Sequence, residues 1–456
     1  MTTTSRTTPT RVIGRGSYAI GALGGGIRGY ELGVVSGALL FAGPALHLDP
    51  GTTGLVVSSA LIGSLFGSLG AGPLADRFGR RAMLTVGAVL YIAGILAAAF
   101  TPTAAVLVLA RIVLGLAVGI ATAMIPVYLS EIAPALRRGS ATGLFQVMIT
   151  IGVLVASLIS LAFTPSGGWR WMFGLGALPA VAMLVGSLRL PESPRWLVRN
   201  GRVDEARAIL SGTRGPADVD AEVGSIQSVD ADERSGPGRG LLRSRLLVRL
   251  LVIGAGLGIL QQLIGINAIT YYAPTVLKGI GFSNAAAITA NVGLSTLGLI
   301  CTVLMAYFVV DRLGRKKPLV FGALLMALSM AVLGIVFLGA RNGAVTGGAA
   351  ALAVAGLAVF QIAFALSWGG IVWIVLGEMF PLAVRGAAVG IATFLTELTS
   401  VVVSLVFPSL LETGASTVFF GFAAMGVLAF LWALLVVPET RHRSLEQIEA
   451  DLALGR

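Results

Sequence analysis

Hydrophobic and polar residues alternate along this chain in long blocks, not residue by residue. Apolar runs long enough to cross a bilayer as a helix, about 18 residues or more, recur from residue 18 to residue 437. Short polar loops separate most of them. The pattern predicts twelve spans, at about 18–41, 53–74, 82–100, 104–127, 140–163, 171–190, 246–273, 285–310, 318–339, 349–376, 386–409 and 415–437.

One long polar segment, 191–245, divides the spans into six and six. It opens with PESPRWLVRNGRVDEARAIL, an amphipathic helical pattern, and continues with a Gly-, Asp- and Ser-rich stretch that we expect to be mobile. The predicted order is a tail (1–17), a six-helix bundle (18–190), a linker with an amphipathic helix (191–245), a second six-helix bundle (246–437) and a second tail (438–456).

Composition agrees with a membrane protein, since 56% of residues are hydrophobic, 12% are charged and the mean hydropathy is +0.91. The net charge of +11 does not indicate a nucleic-acid partner, because the basic residues lie mostly on one side of the predicted membrane. Of 32 Lys and Arg, Arg170, Lys278 and Arg341 fall in loops on the other side, and Arg28 and Arg111 fall inside spans. The positive-inside rule then predicts a cell (inner) membrane protein with both termini cytoplasmic.

Chemistry typical of enzymes is missing from the sequence. The single Cys301 lies in an apolar run, and His47 and His442 lie in predicted loops. The spans carry no Ser/His/Asp set and no phosphate-binding loop. We therefore expect no cofactor, no metal site and no enzymatic activity.

Three motif pairs repeat in the same order in the two halves. DRFGRR (76–81) matches DRLGRK (311–316), EIAPALRRG (131–139) matches EMFPLAVRG (378–386), and PES (191–193) matches PET (438–440). Each pair follows the corresponding span of its half. A parallel repeat of two six-helix bundles is typical of transporters that move one half against the other.

The motifs themselves resemble those of the sugar porter family of the major facilitator superfamily. The resemblance rests on GPLADRFGRR (72–81), PESPRWL (191–197), QQLIGIN (261–267) with YYAP (271–274), and PETRHRSLEQIE (438–449). It covers nearly the whole chain. It implies an all-α membrane protein, acting as a monomer, that carries a monosaccharide, disaccharide or polyol, with or without a proton.

Three amides in span 7 are candidates for sugar binding. Amide side chains both donate and accept hydrogen bonds, as vicinal hydroxyls require. On a straight helix Gln261, Gln262 and Asn267 would spread around the axis, so they converge only if the helix breaks, for which Gly265 and Pro274 provide the means. The resemblance implies sugar contact at these positions. The alternative is interhelical hydrogen bonding.

Further site residues follow from the resemblance. Gln146 lies in the family's second sugar-contact helix, and Trp373 matches a Trp that stacks on or packs beside the sugar, its alternative being a lipid-interface aromatic. Possible gate residues are Tyr271, Tyr272 and Gly370, the last standing where the family usually has Pro.

The charged loop motifs suggest a second function. The resemblance to the sugar porter family implies a network of salt bridges between the two halves, which closes the cytoplasmic side when the transporter faces outward. Plain positive-inside anchoring would explain the arginines but not two glutamates at matching places. The residues of this predicted network are Arg80, Glu131, Arg138, Arg315, Glu378 and Arg385.

A glutamate inside span 1 and an arginine inside span 4 suggest proton coupling. Glu31 occupies the place of an Asp in proton-coupled members of the family, and Arg111 matches its basic partner. A carboxylate inside a bundle makes sense if it gains and loses a proton in each cycle. A static ion pair is the alternative. Arg28, where the family usually has Phe, lies three residues before Glu31 and is expected either to pair with it or to extend toward water.

The predicted function is import of a monosaccharide or polyol by proton symport. The alternatives are a passive sugar uniporter, a carrier of another small organic solute and, least favoured, a non-transporting sugar sensor. Three departures from the family leave the substrate open: Val153, Leu299 and Glu397 stand where other residues are usual. Glu397 is expected to line the cavity, to bind a second cation, or to favour a substrate with a positive or strongly donating group.

Overall fold

A computed structural model describes residues 15–133, 138–212, 214–235, 245–339, 347–380 and 384–441, and these are almost wholly helical. The first half contains α1 (Arg15–Ala45), α2 (Pro50–Phe78), α3 (Arg80–Ala99), α4 (Ala104–Ile132), α5 (Arg138–Phe163), α6 (Trp169–Gly174) and α7 (Ala177–Ser187). The linker contains α8 (Pro194–Arg199), α9 (Val203–Leu210) and α10 (Pro216–Ser235). The second half contains α11 (Arg245–Leu263), α12 (Ile266–Gly279), α13 (Asn284–Leu304), a π-helical turn (Met305–Val309), α14 (Val310–Leu313), α15 (Lys316–Gly339), α16 (Gly347–Leu366), α17 (Trp368–Met379) and α18 (Arg385–Leu435).

The predicted twelve spans are confirmed. Within the described part of the chain, ten helices are long and apolar enough to cross a membrane. The longest, α18, has 51 residues and leaves helical geometry at Gly414, so it supplies two spans. The 31-residue α1, which carries Arg28 and Glu31, supplies the twelfth. The termini fall mostly outside the described residues.

Small residues set the packing inside the first bundle. A Cβ on Gly63 or Gly67 of α2 would lie 2.2 or 2.3 Å from a carbonyl oxygen of α4, and a Cβ on Gly115 or Gly119 of α4 would lie 2.0 or 2.2 Å from one of α2. These two G-x-x-x-G pairs let the backbones touch, as small residues do between membrane helices. The first bundle is therefore close-packed where α2 and α4 cross.

Several spans are interrupted in the structure, and the break in span 7 was predicted. Span 6 is two helices, α6 and α7. Span 7 breaks between α11 and α12, at the predicted Gly265, which adopts a left-handed conformation with φ 99°. Span 10 breaks at Ser367, between α16 and α17. A long apolar run identifies a span but does not by itself locate single non-helical residues inside it.

The linker differs from the expectation of a mobile stretch after the amphipathic segment, because α10 occupies much of it. Pro216 begins this helix and Asp218 lies in its first turn, which favours helix initiation. Val219 and Val223, one turn apart, are buried. The Gly, Asp and Ser content misled the prediction, since the apolar residues needed to dock the helix are few.

The two bundles contact each other at the end of the molecule that is opposite a group of charged residues. Helices α2 and α4 carry Arg77 and Glu131 near their C-termini, and we call the end of the molecule that holds these residues the charged end. At the opposite end, a Cβ on Gly54 would lie 2.0 Å from the carbonyl oxygen of Leu405 in α18. Asn291 of α13 also donates there, to Ser36 of α1 and Ser157 of α5, at 3.2 Å each.

Candidate functional site

A cavity of about 250 Å³ lies between the two bundles. Five predicted sugar-contact residues line it together, Gln146 from the first bundle and Gln261, Gln262, Asn267 and Trp373 from the second. Sequence positions as far apart as 146 and 373 therefore meet at one place, although their role in binding stays a prediction.

The break at Gly265 brings the span 7 amides together. The Gln261 side chain donates to the carbonyl oxygen of Trp368 at 2.6 Å, and Gln262 donates to Gln261 Oε1 at 3.2 Å. Beyond the break, Asn267 donates back to Gln262 Oε1 at 3.0 Å and also to the hydroxyl of Ser400. The result is a continuous row of amides along the cavity wall, which a straight helix would not form.

Trp373 is among the residues that line the cavity, and 39% of it is exposed. It follows the break at Ser367 by six residues, so it lies within the short α17. An aromatic face beside a row of amides suits a ligand with an apolar C–H face and several hydroxyls.

The cavity also contains polar residues that the sequence analysis did not select. Among them are Thr150, Ser295 and Gln361. Gln361 is the one amide in the apolar run of α16, and a Cβ on Gly298 would lie only 2.6 Å from its Nε2. An isolated amide in an apolar span was the available signal. Of the family departures, Val153 lines the cavity and Leu299 is not among its lining residues.

The predicted gate residues lie in different surroundings. Tyr271 is fully buried and lines the cavity, and its hydroxyl has no hydrogen-bond partner within the described residues. Tyr272 faces the opposite end, where its hydroxyl donates to the carbonyl oxygen of Ser404 at 3.0 Å. A Cβ on Gly370 would lie 2.0 Å from Cε of Met305, the far end of a flexible side chain.

Glu31 and Arg111 form a buried ion pair. Arg111 Nη2 donates to Glu31 Oε1 at 2.8 Å, and the residues are 0% and 3% exposed, respectively. Arg111 Nε donates to the carbonyl oxygen of Val56 at 2.7 Å, so the pair links α1, α2 and α4. Leu32, the next residue after Glu31, lines the cavity. The pair therefore sits directly behind the wall of the cavity.

Arg28 does what neither expectation described. Its Nη1 donates to Thr122 Oγ1 of α4 at 2.7 Å, and its Nη2 lies 3.6 Å from Glu397 Oε1 in the second bundle. Glu397 lines the cavity, which was one of the three expectations for this residue. The i, i+3 spacing suggested Glu31 as the partner, but the Glu31 carboxylate is bound by Arg111 from another helix.

The first bundle carries a polar cluster at the charged end. Arg80 Nε lies 3.3 Å from Glu131, which also accepts from the hydroxyl of Ser193. Glu192 accepts from the backbone N–H groups of Arg80 and Arg81, at 2.9 and 3.2 Å. The three first-half motifs of the repeat thus meet at one point.

The second bundle carries the same cluster from the matching motifs. Arg315 Nη2 donates to Glu378 at 2.6 Å, and the hydroxyl of Thr440 donates to the same carboxylate at 2.6 Å. Glu439 accepts from the backbone N–H groups of Arg315 and Lys316, at 3.0 and 3.1 Å. Each of these described pairs joins two residues of the same half of the chain, whereas the predicted network joins the two halves.

The glycine of each DRxGR motif makes room for this arrangement. Gly79 and Gly314 have φ of 94° and 78°, which few other residues adopt. A Cβ on Gly79 would lie 2.3 Å from Glu192 Oε2, and one on Gly314 would lie 2.7 Å from Glu439 Oε2. Both the backbone angle and the carboxylate thus require glycine.

The remaining residues of the predicted network are only partly visible. Arg385 Nε donates to the carbonyl oxygen of Phe380 at 3.0 Å, within its own bundle. The side chain of Arg138 lies outside the described residues.

Glu439 is held as a carboxylate. Burial alone would raise the pKa of its carboxyl group. The backbone N–H groups of Arg315, Arg441 and Lys316 donate to it and together bring the pKa below its ordinary value of 4.5. Glu439 therefore accepts hydrogen bonds as an anion at neutral pH.

Two six-helix bundles around a central polar cavity define a membrane transporter of the major facilitator type. A family model described as "Sugar (and other) transporter" matches residues 18–452. The putative metabolite transport protein YwtG of Bacillus subtilis (strain 168) is 44% identical, over 95% of this chain and 94% of its own length. The galactose-proton symporter of Escherichia coli (strain K12) is 37% identical, over 96% and 94%.

A solved structure agrees with these relatives. The partially occluded inward-open conformation of the xylose transporter XylE from E. coli matches with a TM-score of 0.82 and 30% identity, over 94% of this chain and 99% of that one. This chain belongs to the sugar transporter family of the major facilitator superfamily. It is an integral membrane transport protein and not an enzyme.

Proposed function

We propose that this protein imports a neutral monosaccharide or polyol together with a proton, by alternating access. The observation that carries the proposal is the buried Glu31–Arg111 pair, placed directly behind the wall of an amide-lined cavity. In this proposal the charged end and both termini face the cytoplasm, in accord with the positive-inside rule.

The sugar part of the proposal rests on the chemistry of the cavity. Gln261, Gln262 and Asn267 offer donors and acceptors in one row, and Trp373 offers an aromatic face. Neutral amides bind hydroxyls without the desolvation penalty of a charge. The relatives named above include a galactose-proton symporter and a xylose transporter, which supports a sugar over another solute.

The proton part rests on Glu31. A carboxylate that is 3% exposed inside a membrane bundle is expensive unless it is paired or protonated. Arg111 neutralises it in this state. Movement of α1 relative to α4 would weaken the pair and favour a protonated carboxyl, which links proton binding to conformation. Arg28 donates to Thr122 and lies near Glu397, so the arginine that pairs with Glu31 is Arg111.

Alternating access is supported by where the bundles touch. They meet at the end opposite the charged end, through Gly54 and Leu405 and through Asn291. The match to an inward-open conformation of XylE agrees with closure at that end. In the opposite state, the two charged clusters would approach each other, and the acidic and basic groups of one bundle could pair with those of the other.

Uptake into proteoliposomes tests the proposal. Labelled glucose, galactose, xylose and inositol are offered with and without an inward proton gradient. We expect at least one to accumulate above its outside concentration and to be released by a protonophore. Glu31→Gln should abolish accumulation and retain exchange of sugar for sugar. Glu412→Gln, which removes an exposed carboxylate from α18, is the control and should behave as the wild type.

Two outcomes would contradict the proposal in different ways. Equilibration of a sugar without accumulation, unchanged by Glu31→Gln, would make the protein a uniporter and Glu31–Arg111 a static pair. Absence of uptake for all four compounds would point to another small organic solute.

A further inference from the structure

One charged pair in the cavity is not explained by sugar binding through amides or by proton coupling through Glu31. Arg28 in α1 and Glu397 in α18 belong to different bundles, and both line the cavity. Their nearest charged atoms are 3.6 Å apart, and their side chains are 19% and 16% exposed. The separation is too long for a hydrogen bond, so each group keeps bonding capacity toward the cavity.

The internal repeat places both residues at positions that face the cavity in the other half. Arg138 and Gly139 correspond to Arg385 and Gly386 in the repeat, at an offset of 247 residues. At the same offset, the first-half equivalent of Glu397 is Thr150, a cavity residue. The motif GIRG (26–29) aligns with GINA (265–268), so the second-half equivalent of Arg28 is Asn267. Arg28 is thus the first-half counterpart of a predicted sugar contact.

We propose that Arg28 and Glu397 form a two-charge subsite that binds vicinal hydroxyls of a neutral substrate and discriminates against charged analogues. The inference rests on the proposed function and deepens it. One hydroxyl donates to the Glu397 carboxylate, and its neighbour accepts from the Arg28 guanidinium. Because the two groups belong to different bundles, a bound substrate is held by both.

The chemistry of the two groups favours this assignment. A carboxylate only accepts hydrogen bonds and a guanidinium only donates them, and charge-assisted bonds are about twice as strong as neutral ones. Thr122 orients Arg28 through Nη1, and the other N–H groups of the guanidinium donate to no described residue. A cationic analogue is attracted by Glu397 but repelled by Arg28, and an anionic analogue is attracted by Arg28 but repelled by Glu397. Because the two effects largely cancel, a charged analogue gains little that offsets the cost of its own desolvation, a cost that a neutral molecule does not carry.

Charge-selective binding tests the inference. Dissociation constants for glucose, glucosamine with its amine protonated, and glucuronate are measured on purified protein by calorimetry. The variants are Arg28→Gln, Glu397→Gln and the double variant, with Glu412→Gln as the matched carboxylate control. Wild-type protein should prefer glucose over both charged analogues by about tenfold or more, which corresponds to about 1.4 kcal/mol.

Removal of one charge should shift the preference in a predictable direction. Arg28→Gln should raise the affinity for glucosamine relative to glucose by about tenfold, and Glu397→Gln should do the same for glucuronate. The double variant should prefer glucose again, and Glu412→Gln should leave all ratios unchanged. Thr122→Val, which keeps both charges, should weaken glucose binding without altering charge preference.

The outcomes separate this inference from the proposed function. If a single variant lowers all three affinities by the same factor, the pair is structural and the inference is wrong. If a variant fails to fold, the wild-type ratios decide, because equal affinity for the three compounds overturns the subsite. If wild-type protein binds no sugar at all, the proposed function fails and the subsite with it.

Discussion

The Glu31–Arg111 pair allows a quantitative prediction, because its two charges lie 2.8 Å apart and are almost wholly buried. At an effective dielectric constant of 20, their attraction is about 6 kcal/mol before desolvation is counted. Removal of one partner leaves an uncompensated charge in the bundle and should cost about 3–5 kcal/mol of folding free energy. Removal of both leaves no such charge.

The perturbation is a double-mutant cycle of Glu31→Gln and Arg111→Met. Each single variant should lose about 3–5 kcal/mol, and Arg111→Met should lose about 1 kcal/mol more, since Arg111 also donates to the carbonyl oxygen of Val56 at 2.7 Å. The double variant should lose only about 1–3 kcal/mol, chiefly for the buried Gln amide and the freed carbonyl. The coupling energy, the sum of the single losses minus the loss in the double variant, should therefore be about 4 kcal/mol or more.

Equilibrium unfolding in mixed micelles, followed by tryptophan fluorescence, measures the four free energies. A loss in the double variant equal to the sum of the single losses, to within about 0.5 kcal/mol, would contradict this prediction. In that case the two charges would act independently, and movement of Arg111 could not control the Glu31 carboxylate.

Three further predictions concern the ends of the molecule. Gly314→Ala should destabilise the protein by about 1–3 kcal/mol, because the new Cβ would strain the backbone and displace Glu439. Gly72→Ala, in an open helical position, should not destabilise it, and thermal unfolding measures both variants. Because the pKa of Glu439 is lower in the folded state, its stabilisation is present above pH 4.5 and is lost as the pH falls through the folded value, so the Tm difference between wild type and Glu439→Gln should shrink on acidification. Gly54→Val should separate α2 from Leu405 and disfavour the present state by about 1–3 kcal/mol, which spin-label distances across that end should report as a shift toward the opposite-facing state; an unchanged distribution would contradict the close contact.

Much of the architecture could be predicted from the sequence because it follows from local physics. A span needs about 20 apolar residues wherever it lies in the chain, so hydropathy alone placed twelve of them. The break at Gly265 was predictable as well, since amides at 261, 262 and 267 make a common site only around a kink. Both inferences depend on residues close together in sequence.

Features that depend on tertiary contact were not predictable in the same way. The carboxylate that Arg28 approaches is that of Glu397, and nothing near Arg28 in the sequence indicates α18. The helix Pro216–Ser235 has a polar composition typical of loops, and it docks through few apolar side chains, Val219 and Val223 among them. Matching motifs predicted that Arg80, Glu131, Arg315 and Glu378 belong to one system, but not which of them pair in a given state.

The pattern of symmetry between the halves shows how the proposed tasks are divided. At the charged end both bundles have the same cluster, with Arg80, Glu131 and Glu192 in one and Arg315, Glu378 and Glu439 in the other. Two parts that open and close against each other can use the same cluster twice.

At the centre the bundles differ, because a buried ion pair lies in the first and a row of amides in the second. A solute and a proton are chemically unlike, so a duplicated centre could not serve both. On this division, variants of the amides should change affinity and variants of Glu31 should change coupling. Variants of Arg28 and Glu397, which face each other across the interface, should change how strongly a bound solute holds the two bundles together.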